Sequence, residues 1–175
     1  MSAQAIAQAM QRIRAVVSRR PAAAIHDDEP AVARWQQDVR VVIGHANGSQ
    51  LITDLPTELG GGGAQMTPGW LLRASLASCA AARIAMAAAA HGIALQTLEV
   101  SAASTSDARG LLGMNDEAGA PVRPAPRELR LQVRIGADGV DGSQLRALVQ
   151  EGCRCSPVSD AVTGAIPLVV DIGID

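Results

Sequence analysis

The stretch TPGWLLRASLASCAAARIAMAAAAHG, residues 67–92, decides the fold. Thr67 supplies a side-chain oxygen for a helix start, and Pro68 fits the first helical position, where a missing N–H costs nothing. Gly92 accepts the left-handed backbone with which helices end. Residues 68–91, rich in Ala and Leu, would run about 36 Å at about 1.5 Å per residue. Small alanine side chains let neighbouring backbones approach closely, which places this helix in the middle of the fold. Its all-round apolar character calls for burial on most sides, a second copy of the same helix being one way to supply it.

Outward from this helix the pattern changes. On its N-terminal side, residues 2–19 alternate Ile6, Met10, Ile13 and Val17 with polar residues, an amphipathic helix stopped by Pro21. Arg12, Arg14, Arg19 and Arg20, with no acid before residue 25, give this end a faint likeness to an organellar transit peptide. The amphipathic helix is the better reading. Pro21 to Pro30 reads as a linker, so residues 1–30 form a helical extension and residues 31–175 the domain proper. From Ala31 to Ile43 the β-branched content rises. Asn47-Gly48 then turns the chain into Gln50-Leu51-Ile52-Thr53, a hairpin signal.

Four glycines, Gly60 to Gly63, precede the long helix. A phosphate loop would need a Lys-Ser or Lys-Thr pair after them and none follows, so a flexible hinge is expected. On the C-terminal side Leu95 to Asp107 and Leu129 to Ile135 read as strands, the second with clean period-two alternation. A helix is expected from Asp141 to about Gly152, another from Pro157 to near Gly164, and a last strand over 166–174. Strands and helices come in blocks, which favours an α+β fold with a largely antiparallel sheet.

Composition narrows the function. A chain of 175 residues supports one sizeable core, and a net charge of −2 without any lysine offers no basic surface for nucleic acid. Tyr and Phe are absent, leaving Trp35 and Trp70 as the large rings, too few for stacking on single-stranded bases. No apolar run approaches the roughly 18 residues of a membrane span. Three cysteines, without a secretory signal, point to free thiols in a reducing compartment, the cytoplasm.

Those thiols are where chemistry could lie. Cys79 shares a helix face with Leu72, Ser75, Leu76, Arg83 and Met86, and Arg83 sits one turn on, so a guanidinium can reach the sulfur. Cys79 stands about three turns into the helix, beyond the dipole of its start, so an arginine must stabilise a thiolate there. The plainer alternative is a small buried hydrophobe in an alanine-rich helix. In Cys153-Arg154-Cys155-Ser156-Pro157, Ser156 caps a helix begun by Pro157, and Cys155 lies just before the cap. A Cys-x-Cys metal site lacks a second ligand pair, and neither metal nor cofactor is called for.

Thr53-Asp54-Leu55-Pro56, Leu59-Gly60-Gly61, Thr67-Pro68, Leu71-Leu72 and Ala74-Ser75-Leu76-Ala77-Ser78-Cys79 together resemble the OsmC/Ohr family of osmotically induced and organic hydroperoxide resistance proteins. His91-Gly92-Ile93, Asp107-Ala108-Arg109-Gly110 and Cys155-Ser156-Pro157-Val158 fit the same pattern in order. The resemblance covers roughly residues 35–174. It implies an OsmC-like fold, an intertwined homodimer with sheet around long central helices, and thiol peroxidase chemistry on a small organic hydroperoxide.

In that chemistry a thiolate matching Cys79 attacks the peroxide and becomes a sulfenic acid. A second cysteine, matching Cys155, condenses with it to a disulfide, and a dithiol such as a lipoylated protein restores both. The family's catalytic arginine comes from an N-terminal strand or loop, where Arg34 and Arg40 are candidates. Two positions depart from the pattern. Gly69 stands where the family's hydroperoxide reductases carry a glutamate, and Ser156 separates Cys155 from its proline. A one-residue shift turns a helical side chain by about 100°, which makes Cys153 an alternative resolving residue. The rival functional reading keeps the fold without turnover: a binding or thiol-sensing protein for a small apolar or electrophilic molecule.

Overall fold

The computed structural model of the chain describes residues 2–164 and 166–174. The chain divides into two compact units, Gln8–Ala74 and Ser75–Asp175 with Met1–Ala7. Helices alternate in blocks with antiparallel strands, so the fold is α+β as the sequence pattern requires.

Helix α1 spans Ala3–Arg19. Its apolar stripe is half-buried at Ile6, Met10 and Val17, while Ile13 stays exposed. In the Gln8–Ala74 unit, strands β1 (Val32–Gln37), β2 (Arg40–Gly44) and β3 (Gln50–Thr53) form an antiparallel meander. The β2–β3 turn is the one signalled by Asn47-Gly48: Gly48 has φ +88°, and the Asn47 side chain accepts the Ser49 N–H. The region 31–43, which reads as one β-rich stretch, is two strands. Asp38, at φ 48°, turns the chain between them, an αL position that aspartate tolerates.

The glycine-rich loop proves to be an anchored structure rather than a flexible hinge. Asp54 is buried, and its carboxylate accepts the N–H of Leu55 at 2.8 Å and of Gly62 at 2.9 Å. A Cβ on Gly61 would stand 1.9 Å from the Leu55 carbonyl oxygen, so only glycine lets the loop wrap its own aspartate this closely. The anion that these backbone donors serve is internal, which removes the phosphate-loop reading.

Helix α2 spans Pro68–Ala90 and begins and ends as its sequence dictates. Thr67 Oγ1 accepts the Trp70 N–H at 3.1 Å, and at the far end Gly92, φ +69°, lets the Ile93 N–H return to the Ala88 carbonyl at 2.9 Å. Burial follows one stripe, Leu76, Ala80, Ile84, Ala87 and Ala88, with Ala89 beside it. The expected burial on most sides is not met within one chain: Trp70 and Leu72 are exposed. By length and composition α2 could also cross a membrane, its 18-residue window reaching a mean hydropathy of 1.3. That revises the expectation from uninterrupted apolar runs, which stop at Arg73 and Arg83. Of that window, 28% is buried within the chain.

In the second unit, β4 (Leu95–Thr105) and β5 (Glu128–Ala137) pair antiparallel along almost their whole length, Val100 opposite Val133 and Ala102 opposite Leu131. A single helical turn, α3 (Ala108–Leu111), opens the loop between them. Helix α4 (Gly142–Arg154) starts with a capping box between Asp141 and Gln144. Its Leu148 joins Ala87, Ala88, Ile93, Leu95 and Ile135 in the core. Helix α5 (Pro157–Thr163) follows at once, capped by Ser156. The expected last strand is not formed. Ile166, Leu168, Val170, Ile172 and Ile174 keep a period-two pattern, but each is at least 68% exposed, and among the described residues no strand pairs with them. Alternation specifies a strand's faces and leaves its hydrogen-bonding partner to come from elsewhere.

Candidate active site

The long helix carries Cys79 in its middle, half-buried, one position before the fully buried Ala80. Facing it is Ser156, from the junction between α4 and α5. The Ser156 side chain is buried, and its hydroxyl donates to Cys79 Sγ at 3.2 Å. The same oxygen accepts the Ser159 N–H at 3.3 Å as the cap of α5, which fixes its lone pairs on the helix and leaves its proton for the sulfur. A buried hydroxyl needs a partner, and this one has two.

This contact is set by the helices on either side. Gly152, one turn before Ser156, is buried against α2: a Cβ there would stand 2.6 Å from Ile84 Cγ1 and 2.8 Å from Ile84 Cα. The missing side chain lets α4 press onto the backbone of α2, and the next turn of chain delivers Ser156 to Cys79. Sequence reasoning identified Ser156 as a helix cap and missed it as the neighbour of the sulfur. The available signal was its place immediately before Pro157, where the resembling family has its second cysteine.

The other residues singled out by the sequence stand as follows. Cys155 closes α4 and is exposed, while the adjacent Ser156 is buried. Cys153 is half-buried, and burial pushes its thiol pKa up. All three thiols are free. Arg83 Nη1 donates to the thioether of Met86 at 3.4 Å, one turn away from Cys79. Its Nε is buried with no hydrogen-bond partner among the described residues. Among those residues no carboxylate pairs with it either.

In the other unit, Arg34 lies exposed on β1. Arg40 opens β2 half-buried, its Nε also without a partner among the described residues. Gly69 is exposed in the first turn of α2, and the Arg73 guanidinium lies 3.9 Å from where its Cβ would be. Among the described residues no group of three or more His, Cys, Asp and Glu could hold a metal.

Away from the thiols, Asp107 organises the loop after β4. It caps α3, accepts two hydrogen bonds from the Arg109 guanidinium at 3.0 and 2.8 Å, and pairs with Arg127. The Arg109 hydrogen bond, first among the causes, holds the Asp107 carboxyl down at about 2.

A long helix that presents a half-buried thiol to a buried hydroxyl, in a mixed fold of helices and antiparallel strands, defines a class of small α+β thiol proteins. The family model described as "OsmC-like protein" matches residues 60–171, and the chain belongs to that family. Three solved structures share the fold. One is an OsmC-like protein from Mycoplasma pneumoniae, 16% identical, with 80% of this chain and 90% of that one covered at a TM-score of 0.65. Another is the organic hydroperoxide resistance protein OsmC from Legionella pneumophila, 21% identical, with 80% and 92% covered and a TM-score of 0.58. The third is the organic hydroperoxide resistance protein OhrB of Bacillus subtilis, 16% identical, with 79% and 92% covered and a TM-score of 0.52. A comparison with curated protein sequences finds no match.

Proposed function

We propose that this protein is a thiol peroxidase that reduces small organic hydroperoxides through Cys79. The observation that carries the reading is the hydroxyl of Ser156 on Cys79 Sγ: a polar donor, buried at considerable cost unless it is used, is aimed at one sulfur in an otherwise alanine-rich helix. In the reaction the Cys79 thiolate attacks one peroxide oxygen and the O–O bond breaks. The alkoxide leaves as an alcohol after taking a proton, and Cys79 becomes a sulfenic acid. A thiol reductant returns it to the start. Arg83, a guanidinium one turn from Cys79 and hydrogen-bonded, among the described residues, to the Met86 thioether, is the cation nearest in sequence that could swing onto the reacting sulfur. The apolar character of α2 around Cys79 in sequence, rich in alanine and leucine, suits an alkyl or aryl hydroperoxide better than hydrogen peroxide.

The reading includes a homodimer working in a reducing compartment, the cytoplasm. The exposed apolar alternation at Ile166, Leu168, Val170, Ile172 and Ile174, with the uncovered Trp70 and Leu72 of α2, supports a second copy as the missing cover.

A non-catalytic role as a binding or sensing protein for a small electrophile is favoured by one specific feature: Arg83 hydrogen-bonds Met86, and the hydrogen bond that Cys79 receives comes from a neutral serine. Consumption of cumene hydroperoxide in the presence of dithiothreitol separates the two. Turnover that Cys79→Ser abolishes supports the peroxidase. Equal slow consumption by both chains ends it and leaves the binding role.

A further inference from the structure

We infer that the Cys79 sulfenic acid is resolved by an external monothiol and not by a second cysteine of the same chain; this deepens the peroxidase reading and rests on it. The group in contact with the reacting sulfur is the Ser156 hydroxyl, and an alcohol cannot form the S–S bond. A disulfide needs its two Cα atoms within roughly 7 Å and their Cβ vectors converging. Cys155 is next to Ser156 and exposed, while Ser156 is 1% exposed and its hydroxyl occupies the contact with Cys79 Sγ.

Cys155 closes α4 with its N–H bonded to the Glu151 carbonyl at 3.2 Å, and Ser156 beside it is held as the cap of α5. Cys153 lies inside α4, its carbonyl accepting the Ser156 N–H at 3.1 Å, and the burial that raises its thiol pKa disfavours the thiolate that resolution uses. Either cysteine would have to displace the Ser156 hydroxyl from Cys79.

The alternative balances without rearrangement. The sulfenic acid and one small thiol condense, forming a mixed disulfide on Cys79 and releasing water. A second molecule of the same thiol attacks that mixed disulfide, freeing the Cys79 thiol and leaving as the symmetrical disulfide. The two electrons that reduced the hydroperoxide thus come from two monothiols. Cys79 itself is only partly buried in the single chain.

The test uses the full chain, cumene hydroperoxide as oxidant, and glutathione or 2-mercaptoethanol as reductant. With one equivalent of hydroperoxide and no reductant, wild type should lose one thiol, as a dimedone-trapped sulfenic acid on Cys79. Added glutathione should convert it to a Cys79 mixed disulfide found by peptide mass. Cys153→Ser with Cys155→Ser should keep monothiol-driven turnover within about twofold.

Ser156→Cys should lose two thiols to an internal disulfide between Cys79 and the introduced sulfur. Loss of two thiols in wild type, with a Cys79 bridge to Cys153 or Cys155, overturns the inference. So does loss of turnover in the double variant, or failure of Ser156→Cys to form its bridge. No thiol lost in any chain removes the peroxidase reading itself, and this inference with it.

Discussion

Gly152 stands against Ile84 so closely that a single added methyl would meet the Ile84 Cα at 2.8 Å and its N at 2.9 Å. Backbone cannot step aside as a flexible side chain can, so Gly152→Ala forces α4 away from α2. Overpacking of this kind costs about 3 kcal/mol, and the better helix propensity of alanine returns about 1, leaving a net loss of roughly 2 kcal/mol. For a chain of this size that is a drop in Tm of about 4–8 °C, measurable by calorimetry or circular dichroism. Because Ser156 is one turn further on, the variant should also react more slowly with hydroperoxide than its stability loss explains.

Ser156→Ala removes the donor from Cys79 and the cap from α5 together. A hydrogen bond to a group that carries charge during reaction contributes about 1.5–3 kcal/mol, so the rate of Cys79 oxidation should fall at least about tenfold. The lost cap costs about 1 kcal/mol of stability. Stopped-flow kinetics with cumene hydroperoxide, read beside the melting curve, distinguishes the two effects. A normal rate in a less stable protein would show Ser156 to be a cap alone.

How far the sequence reaches can be seen at these same residues. The bounds of α2 were legible because Thr67, Pro68 and Gly92 act within a turn of where they stand. The α5 cap was legible for the same reason. Asp38 was not, since the left-handed turn it makes carries no glycine, proline or asparagine to announce it. The Cys79–Ser156 contact joins positions 77 apart and depends on how α4 crosses α2, which Gly152 permits but no local pattern states. The segment 166–174 alternates like a strand, and pairing is a non-local property that alternation does not contain.

Gly69→Glu restores the carboxylate that the resembling reductases carry. The position is exposed and a Cβ meets nothing closer than 3.9 Å, so the substitution should fold without strain. A glutamate in the first turn gains helix propensity, lies at the positive end of the α2 dipole and stands four residues before Arg73. Together these should stabilise the protein by roughly 1 kcal/mol, a rise of about 2–4 °C in Tm. If this position orients an arginine here as the resemblance implies, hydroperoxide turnover should rise several-fold. A more stable protein with unchanged turnover would separate this chain's site from that arrangement.

Asp107 makes the loop after β4 sensitive to acid. Its carboxyl titrates at about 2 in the folded chain, against 3.8 for an ordinary aspartate, because Arg109 and Arg127 hold it charged. A depressed pKa contributes stability that is complete above the unfolded value and lost as pH falls through the folded one. Loop 107–127 should therefore resist pepsin at pH 4 and become cleavable as the pH is lowered from about 3.8 toward 2. Asp107→Asn should already be cleaved at pH 4, with little further change below it. Equal cleavage of both chains across that range would mean the loop is held by something other than this cluster.

Arg83→Met should change stability and activity in opposite directions. Its buried Nε lacks a hydrogen-bond partner among the described residues, a defect that costs about 1–3 kcal/mol, and methionine fills similar space without it. The variant should be more stable than wild type by about 1 kcal/mol or more. If its guanidinium supports the reacting sulfur, oxidation of Cys79 should at the same time slow about tenfold, equivalent to about 1.4 kcal/mol. A gain in stability with a loss in rate is the expected mark of a residue kept for chemistry. Arg34→Met and Arg40→Met complete the comparison, since the resemblance places the catalytic arginine among the N-terminal strands. A tenfold loss in either of those, with Arg83→Met reacting normally, would move the role from α2 to the strands. The stability gain at Arg83 would then show it to be a partly buried charge without full compensation.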